Sequence, residues 1–480
     1  MMKIVGGSLG KDIHVAGVLN FLGIVEELGH ETVYLGPAIP VGRFVEEIER
    51  HNPDIVAVSY RLSPETAEEL LTQLKDAIDK SGLTGRRYFF GGTSATARVA
   101  EGIGIFDKIF VGGESEDYVR DCIGRKEQKA PQKYPENLVD RIKWKKPILR
   151  HHFGLPDLEE TIEGVKKIAE AEVLDVISIG PDQDAQEYFF HPELQDPEKK
   201  GDGGVPIRTH EDLKRIYEAS RCGNYPLLRC YSGTNDLIRM ARMYAETIKN
   251  AWCAVPLMWY SVLDGRSNRR LEDSIPENQR CMKWHAERGM PVEVNESHQW
   301  SLRRAPDTIA VAMAYIAAYN AKEMGVQHYV SQYMFNTPAQ TSPKMDLGKM
   351  LAKIELIESL HNSNFRTYRQ VRSGLLSFPP DPDEAKGQLA SSMYLAMDLN
   401  PHIVHVVGSC EGHHIARPKD VIESSKTVQQ VIANHKMGAP DMSLDPDVQT
   451  RKHELKEQAW NLIRAIQSLG NSEDPLTDPS

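Results

Sequence analysis

The segment Gly10-Lys11-Asp12-Ile13-His14-Val15-Ala16-Gly17 separates a short apolar run, Met2–Val5, from a stretch with helical period, Val15–Leu28. A carboxylate two residues before a histidine can accept the hydrogen bond of one ring nitrogen. That fixes the tautomer and raises the basicity of the other nitrogen, the arrangement a metal-bound imidazole uses. Gly17, at the start of the helical stretch, lets a bulky group approach the backbone. Further along, Ser59 closes the run Ile55-Val56-Ala57-Val58, Gly91-Gly92 closes the next run, and Gly112-Gly113-Glu114-Ser115 closes the one after. If these runs are parallel strands, one hydroxyl and two glycine pairs line one edge of a sheet and form a deep, backbone-walled slot. A phosphate-binding loop would instead need G-x-G-x-x-G or a Walker lysine after the first strand, and neither is present.

The elements that would position these residues can be read from periodicity. Apolar runs at Met2–Val5, Glu31–Leu35, Asp54–Tyr60, Arg87–Phe90 and Lys108–Val111 alternate with amphipathic segments at Val15–Leu28, Val41–His51, Pro64–Ile78, Ala95–Gly102 and Ser115–Ile123. Continuous apolar strands separated by helices imply a parallel sheet covered on both faces. The right-handed crossover rule makes residues 1–125 a doubly wound, flavodoxin-like domain. Residues 126–154, rich in Lys, Gln, Pro and Arg, read as a linker. From 155 to 438, strands are expected at Asp175–Ile179, Leu227–Cys230, Cys253–Leu257, Val292–Val294, Tyr329–Gln332, Phe365–Tyr368 and Ile403–Val407, each with a following helix. This succession predicts a (β/α)8 TIM barrel. Residues 439–480 are expected to add one helix, Lys452–Leu469, and a frayed tail.

In order and spacing, Asp12-x-His14-x-x-Gly17, Ser59 and Gly91-Gly92 resemble the cobalamin-binding domain of base-off/His-on B12 enzymes. The resemblance implies that His14 is the lower axial ligand of cobalt, with Asp12 as its hydrogen-bond partner. Gly17, Ser59, Gly91, Gly92 and Gly113 would house the displaced nucleotide tail. Arg61 stands where that family has a hydrophobic residue. In the barrel, Ser232-Gly233-Thr234-Asn235-Asp236, Pro291-Val292-Glu293-Val294-Asn295-Glu296, Phe378-Pro379-Pro380-Asp381 and Val406-Val407-Gly408-Ser409-Cys410-Glu411-Gly412-His413 are similar in order to the catalytic subunit of glutamate mutase (methylaspartate mutase). Its substrate clamps are rewritten here. Tyr231-Ser232 replaces an Arg-His pair, Trp259 and Tyr260 stand where a glutamate is expected, and Gly408 replaces a lysine.

Chemistry suggests replacements. A carboxylate substrate calls for a guanidinium, offered by Arg208, Arg229, Arg266 and Arg303, with Arg229 foremost. Tyr231, Trp259, Tyr260, His298 and Tyr333 could line a water-excluding cavity, and Glu411 by the resemblance would bond ribose hydroxyls. His413 and His414 are adjacent and point apart, which argues against a metal site there, and Cys230 and Cys410 read as small apolar fillers. The resemblance implies an adenosylcobalamin-dependent carbon-skeleton mutase acting on a small carboxylate or amino acid, with a homodimer through the barrels. The competing readings are a corrinoid methyltransferase and a non-catalytic B12 carrier or sensor.

Composition narrows the field. The 480 residues carry 57 Lys+Arg against 68 Asp+Glu, a net charge of −11, with 40% hydrophobic and 26% charged residues. That balance excludes wholesale disorder and makes nucleic acid an unsuitable partner. No apolar run reaches the roughly 20 residues of a membrane span, and mean hydropathy is −0.44. Six cysteines with no CxxC pair do not form a disulfide framework. A cytoplasmic protein is expected.

Overall fold

The first strands form where short apolar runs stand in the sequence: β1 (Lys3–Leu9), β2 (Glu31–Ile39), β3 (Ile55–Tyr60), β4 (Arg87–Gly92) and β5 (Lys108–Phe110). They make one parallel sheet in the order β2-β1-β3-β4-β5, the doubly wound arrangement expected from the alternating pattern. The helices α1 (Ala16–Glu27) and α5 (Glu116–Ile123) cover one face, burying Val18, Leu22, Val25 and Ile123 against Ile4, Ile55 and Phe89. On the other face, α2 (Val41–His51), α3 (Pro64–Lys80) and α4 (Ser94–Ile103) bury Phe44, Ile48, Leu71, Leu74 and Ala100 against Val56, Val58 and Phe90. Local signals set the helix ends. Ser63 caps α3, its hydroxyl accepting from the Thr66 N–H, and Pro64 takes the first turn, where a missing N–H costs nothing.

The computed structural model describes residues 1–124, 134–470 and 472–478, and the chain divides into two compact units, Met1–Lys133 and Tyr134–Ser480. The second unit contains eight parallel strands: β6 (Ile148–Phe153), β7 (Val176–Ile179), β8 (Leu227–Cys230), β9 (Cys253–Val255), β10 (Val292–Val294), β11 (His328–Phe335), β12 (Arg366–Ser373) and β13 (Ile403–His405). Their order runs β8-β7-β6-β13-β12-β11-β10-β9. A parallel bridge between Tyr231 and Ala254 spans the gap between β8 and β9. The sheet therefore closes into a (β/α)8 barrel, with β8/β9 as its thinnest seam.

Two expectations are corrected. The reading of 126–154 as a linker extends too far. Residues 125–133 lie outside the described residues, but 138–144 form a helix and 148–153 form β6, the first barrel strand. Leu138 and Ile142 of that helix join Ile148, Val176, Leu227, Trp252, Val330 and Ile403 in an apolar floor. The Lys-rich stretch that follows this helix masks its buried stripe. The C-terminal tail is not frayed through 472–478 either. The helix Pro446–Leu469 buries Leu455, Ala459 and Ile463. Leu476 is buried beyond it, its carbonyl accepting from Asn320 Nδ2 at 2.8 Å.

Candidate functional site

In the first unit the site is built by the loop after β1. Gly10 turns the chain at φ +70°, where an added Cβ would run into Leu70. Asp12 follows, fully buried. Its backbone N–H donates to Leu9 and its carbonyl accepts from Ala38. One carboxylate oxygen accepts from the His14 N–H at 2.9 Å and lies 2.7 Å from His14 Nδ1. The other accepts from the Arg61 N–H at 2.6 Å. Three donors thus satisfy a buried carboxylate that would otherwise be costly. Because a carboxylate only accepts, the His14 proton sits on Nδ1 and the Nε2 lone pair is free. The His14 side chain is 55% exposed, and its carbonyl is tied back to the Ser8 hydroxyl at 3.1 Å.

Beside this dyad, strand register brings Ser8, Ser59, Gly91 and Phe110 into one row across β1, β3, β4 and β5. A cleft of about 420 Å³ opens there, lined by Gly17, Phe21, Ser59, Phe89, Gly91, Gly92 and Gly112, among others. A Cβ at Gly17 or Gly91 would meet nothing within 4 Å, so both glycines leave open space that a side chain would fill. Gly92 differs: a Cβ there would meet the Tyr60 carbonyl at 2.6 Å, so this glycine serves packing. Gly113 is not among the lining residues, and Gly112, at φ +91°, takes that place. Arg61 lines the cleft while its N–H holds Asp12. A free imidazole nitrogen set by a carboxylate, next to a glycine-walled slot, fits the cobalt and the nucleotide tail of a base-off cobalamin.

In the barrel, strand alternation puts polar residues directly above the apolar floor, two positions on from Ile148, Val176, Leu227 and Ile403. These are Arg150, Ser178, Arg229 and His405, all buried. Arg150 donates to Gln370 Oε1 (2.7 Å), Ser178 Oγ (2.7 Å), His152 Nε2 (3.2 Å) and His405 Nδ1 (2.9 Å). A guanidinium only donates, so it fixes the proton of His152 on Nδ1 and that of His405 on Nε2. Burial, then the neighbouring guanidinium of Arg150, holds both rings well below the ordinary histidine range. His152 stacks on Tyr231 at 5.2 Å and accepts from its hydroxyl at 3.1 Å.

Arg229 is fully buried and donates to Glu293 at 3.0 Å, with Trp252 Nε1 on the same carboxylate oxygen at 2.8 Å. Burial alone would raise the Glu293 carboxyl; Arg229 and Arg150 outweigh it and keep it ionised. Arg229 is therefore paired through one terminal nitrogen, with its Nε and Nη1 buried and unpartnered among the described residues, while Arg208 is paired with Asp182 (2.7 Å) and Arg266 with Asp264 (2.6 Å). Arg303 lies over the Trp259 ring at 4.2 Å. Arg372, which sequence reasoning passed over, differs from all four. It sits half-buried near the end of β12 and makes no ion pair among the described residues, and only its Nε is used, on the Ser373 carbonyl. Burial lowers its guanidinium below the usual arginine range, with the charges of Glu411 and Glu293 among those opposing the shift.

A second cavity of about 420 Å³ is lined by His152, Gly154, Gly180, Gly203, Glu411 and His413, among others. It lies at the carboxyl ends of β6, β7 and β13, where barrels bind ligands. Glu411 accepts from the Gly408 N–H at 3.0 Å and lies 3.5 Å from His151 Nε2. Trp259, His298 and Tyr333 are buried and Tyr260 is half-buried. His414 approaches Asp420 at 3.3 Å and belongs with Cys410 to a loose group, in which His413 takes no part. The missed residues Arg150, His151 and His152 had one signal, a His pair after Ile148-Leu149, masked by the Lys-rich stretch before it.

The comparisons with known proteins bear on the first unit. The B12 binding domain family matches residues 2–120, so the chain carries a cobalamin-binding domain there. A search of curated protein sequences found no match. Among solved structures, the chain is similar to a cobalamin-binding protein from Desulfitobacterium hafniense DCB-2, at 28% identity and TM-score 0.23 over 25% of this chain. The chain spans 57% of that protein's length. It is also similar to a rubisco-like protein from Burkholderia fungorum (13% identity, TM-score 0.40, 68% of this chain and 70% of that one). A third likeness is to 2,3-dimethylmalate lyase (10% identity, TM-score 0.31, 68% of this chain and 97% of that one). No described helix is long and apolar enough to cross a membrane.

Proposed function

We propose that this protein is an adenosylcobalamin-dependent carbon-skeleton mutase that acts on a small carboxylate or amino acid. The observation that carries the reading is the Asp12–His14 dyad beside its glycine-walled slot, on a chain whose barrel gathers cationic charge. When bound, the cofactor supplies a homolysable cobalt–carbon bond and with it a hydrogen-abstracting radical. His14 Nε2 would ligate the cobalt, with Asp12 holding the ring in the tautomer that leaves this nitrogen bare. Ser59, Gly17 and Gly91 would house the nucleotide tail.

In the barrel, three guanidinium groups, Arg150, Arg229 and Arg372, face the carboxylates of Glu293 and Glu411. The excess positive charge favours an anionic substrate. Arg372, with both terminal nitrogens uncommitted, binds its carboxylate in fork geometry. Arg150 and Arg229 act beneath it by fixing His152, Glu293 and the Tyr231 ring, over which Arg229 lies at 4.9 Å. His152, held neutral, and Tyr231 hydrogen-bond substrate without adding charge. Glu411, on the same cavity as His152, offers a carboxylate acceptor for hydroxyl groups.

The test is reconstitution with adenosylcobalamin in the dark and a screen of short carboxylic and amino acids by EPR. The expected result is a paramagnetic cobalt signal that appears only with the true substrate. Methyl transfer from methylcobalamin, with the adenosyl form inert toward every compound, would replace this reading by a corrinoid methyltransferase.

A further inference from the structure

Away from both sites, three buried side chains converge on the outside of the barrel. Cys253 opens β9, and its neighbour Ala254 is the residue that bridges to Tyr231 across the seam. Cys281 and His285 lie one turn apart on the helix Leu271–Ala286, which covers β9. All three are fully buried or nearly so. One ligand atom from each lies within 4.8 Å of the others.

The histidine is oriented as a ligand is. His285 Nδ1 donates to the Cys281 carbonyl at 2.7 Å, so the ring proton is on that nitrogen. His285 Nε2 is buried and has no partner at hydrogen-bonding geometry among the described residues, with the Cys253 thiol the group lying against the ring. An imidazole anchored by a backbone carbonyl at one nitrogen, with the other bare, is the usual outer-shell arrangement of a metal-bound histidine. An unsatisfied buried nitrogen is otherwise costly.

We propose that Cys253, Cys281 and His285 bind a divalent d10 cation, Zn2+ in the first place, as a structural site. Two thiols lose their protons to solvent on binding. The two thiolates then balance the 2+ charge, and a neutral cluster is what a buried location tolerates. Sulfur and imidazole are the donors that Zn2+ prefers over Mg2+ or Ca2+. The ion would staple the covering helix to the strand at the seam where the barrel has fewest ladder hydrogen bonds.

The full chain, produced without a metal-binding tag and desalted, is assayed by inductively coupled plasma mass spectrometry, which separates zinc from cobalt. About one zinc per chain is expected. It should fall at least tenfold in Cys281→Ala and His285→Ala and persist in Cys222→Ala, a cysteine outside the cluster. Should the two variants fail to fold, X-ray absorption at the zinc edge of the unaltered chain decides, with two sulfur neighbours expected. A chain that holds no zinc after incubation with excess Zn2+, zinc retained equally by the variants, or an edge with only oxygen and nitrogen neighbours would overturn the proposal.

Discussion

Arg372 is half-buried near the end of β12, and its terminal nitrogens have no partner among the described residues, so its replacement is the sharpest test of the substrate reading. With the substrate found by the EPR screen, Arg372→Ala loses a charge-assisted pair worth about 1.5–3 kcal/mol. That corresponds to a rise in KM of about 10- to 150-fold. Arg372→Lys should recover part of it, and the melting temperature should stay close to that of the unaltered chain, since no ion pair is removed. An unchanged KM would assign the carboxylate to another group. At this scale the sequence was readable where chemistry is local. Asp12 and His14 are two residues apart, and their relation survives any detail of the fold. Arg372 was not readable, because Val371-Arg372-Ser373-Gly374 looks like any polar strand end. What singles it out is the ion pairs already made by Arg208, Arg229 and Arg266, and two of those depend on partners distant in sequence, Asp182 for Arg208 and Glu293 for Arg229.

The slot is a property of elements. Parallel register aligns Ser59 of β3 with Gly91 of β4, and α1 brings Gly17 to the same edge. The two adjacent glycines should therefore separate binding from stability. Gly91→Leu projects into open space, so it should weaken cobalamin binding, read by titration of the bound cofactor's absorbance, while leaving the melting temperature nearly unchanged. Gly92→Ala forces a Cβ against the Tyr60 carbonyl and should cost about 1–3 kcal/mol of stability. If both variants bind cobalamin as the unaltered chain does, the slot is not where the nucleotide tail goes. The five strands of the first unit were legible because each is a continuous apolar run. The first barrel strand was not. Lys143, Lys145, Lys146 and Pro147 precede Ile148, and inward Arg150 and His152 erase the apolar signature that a barrel strand normally shows. Polar residues there serve the site, and local pattern reading fails for that reason.

At the scale of the whole molecule, two units with different tasks share one chain. The account stands on His14 as the ligand of cobalt. The direct measurement is EPR of the reduced, cobalamin-loaded chain prepared with ¹⁵N-imidazole histidine. Ligation through His14 Nε2 predicts that the cobalt signal, split by ¹⁴N into triplets in unlabelled protein, collapses to doublets on labelling, and that His14→Ala loses this splitting. Triplets that persist in the labelled chain would mean that the cofactor keeps its own benzimidazole on cobalt, and would contradict the account.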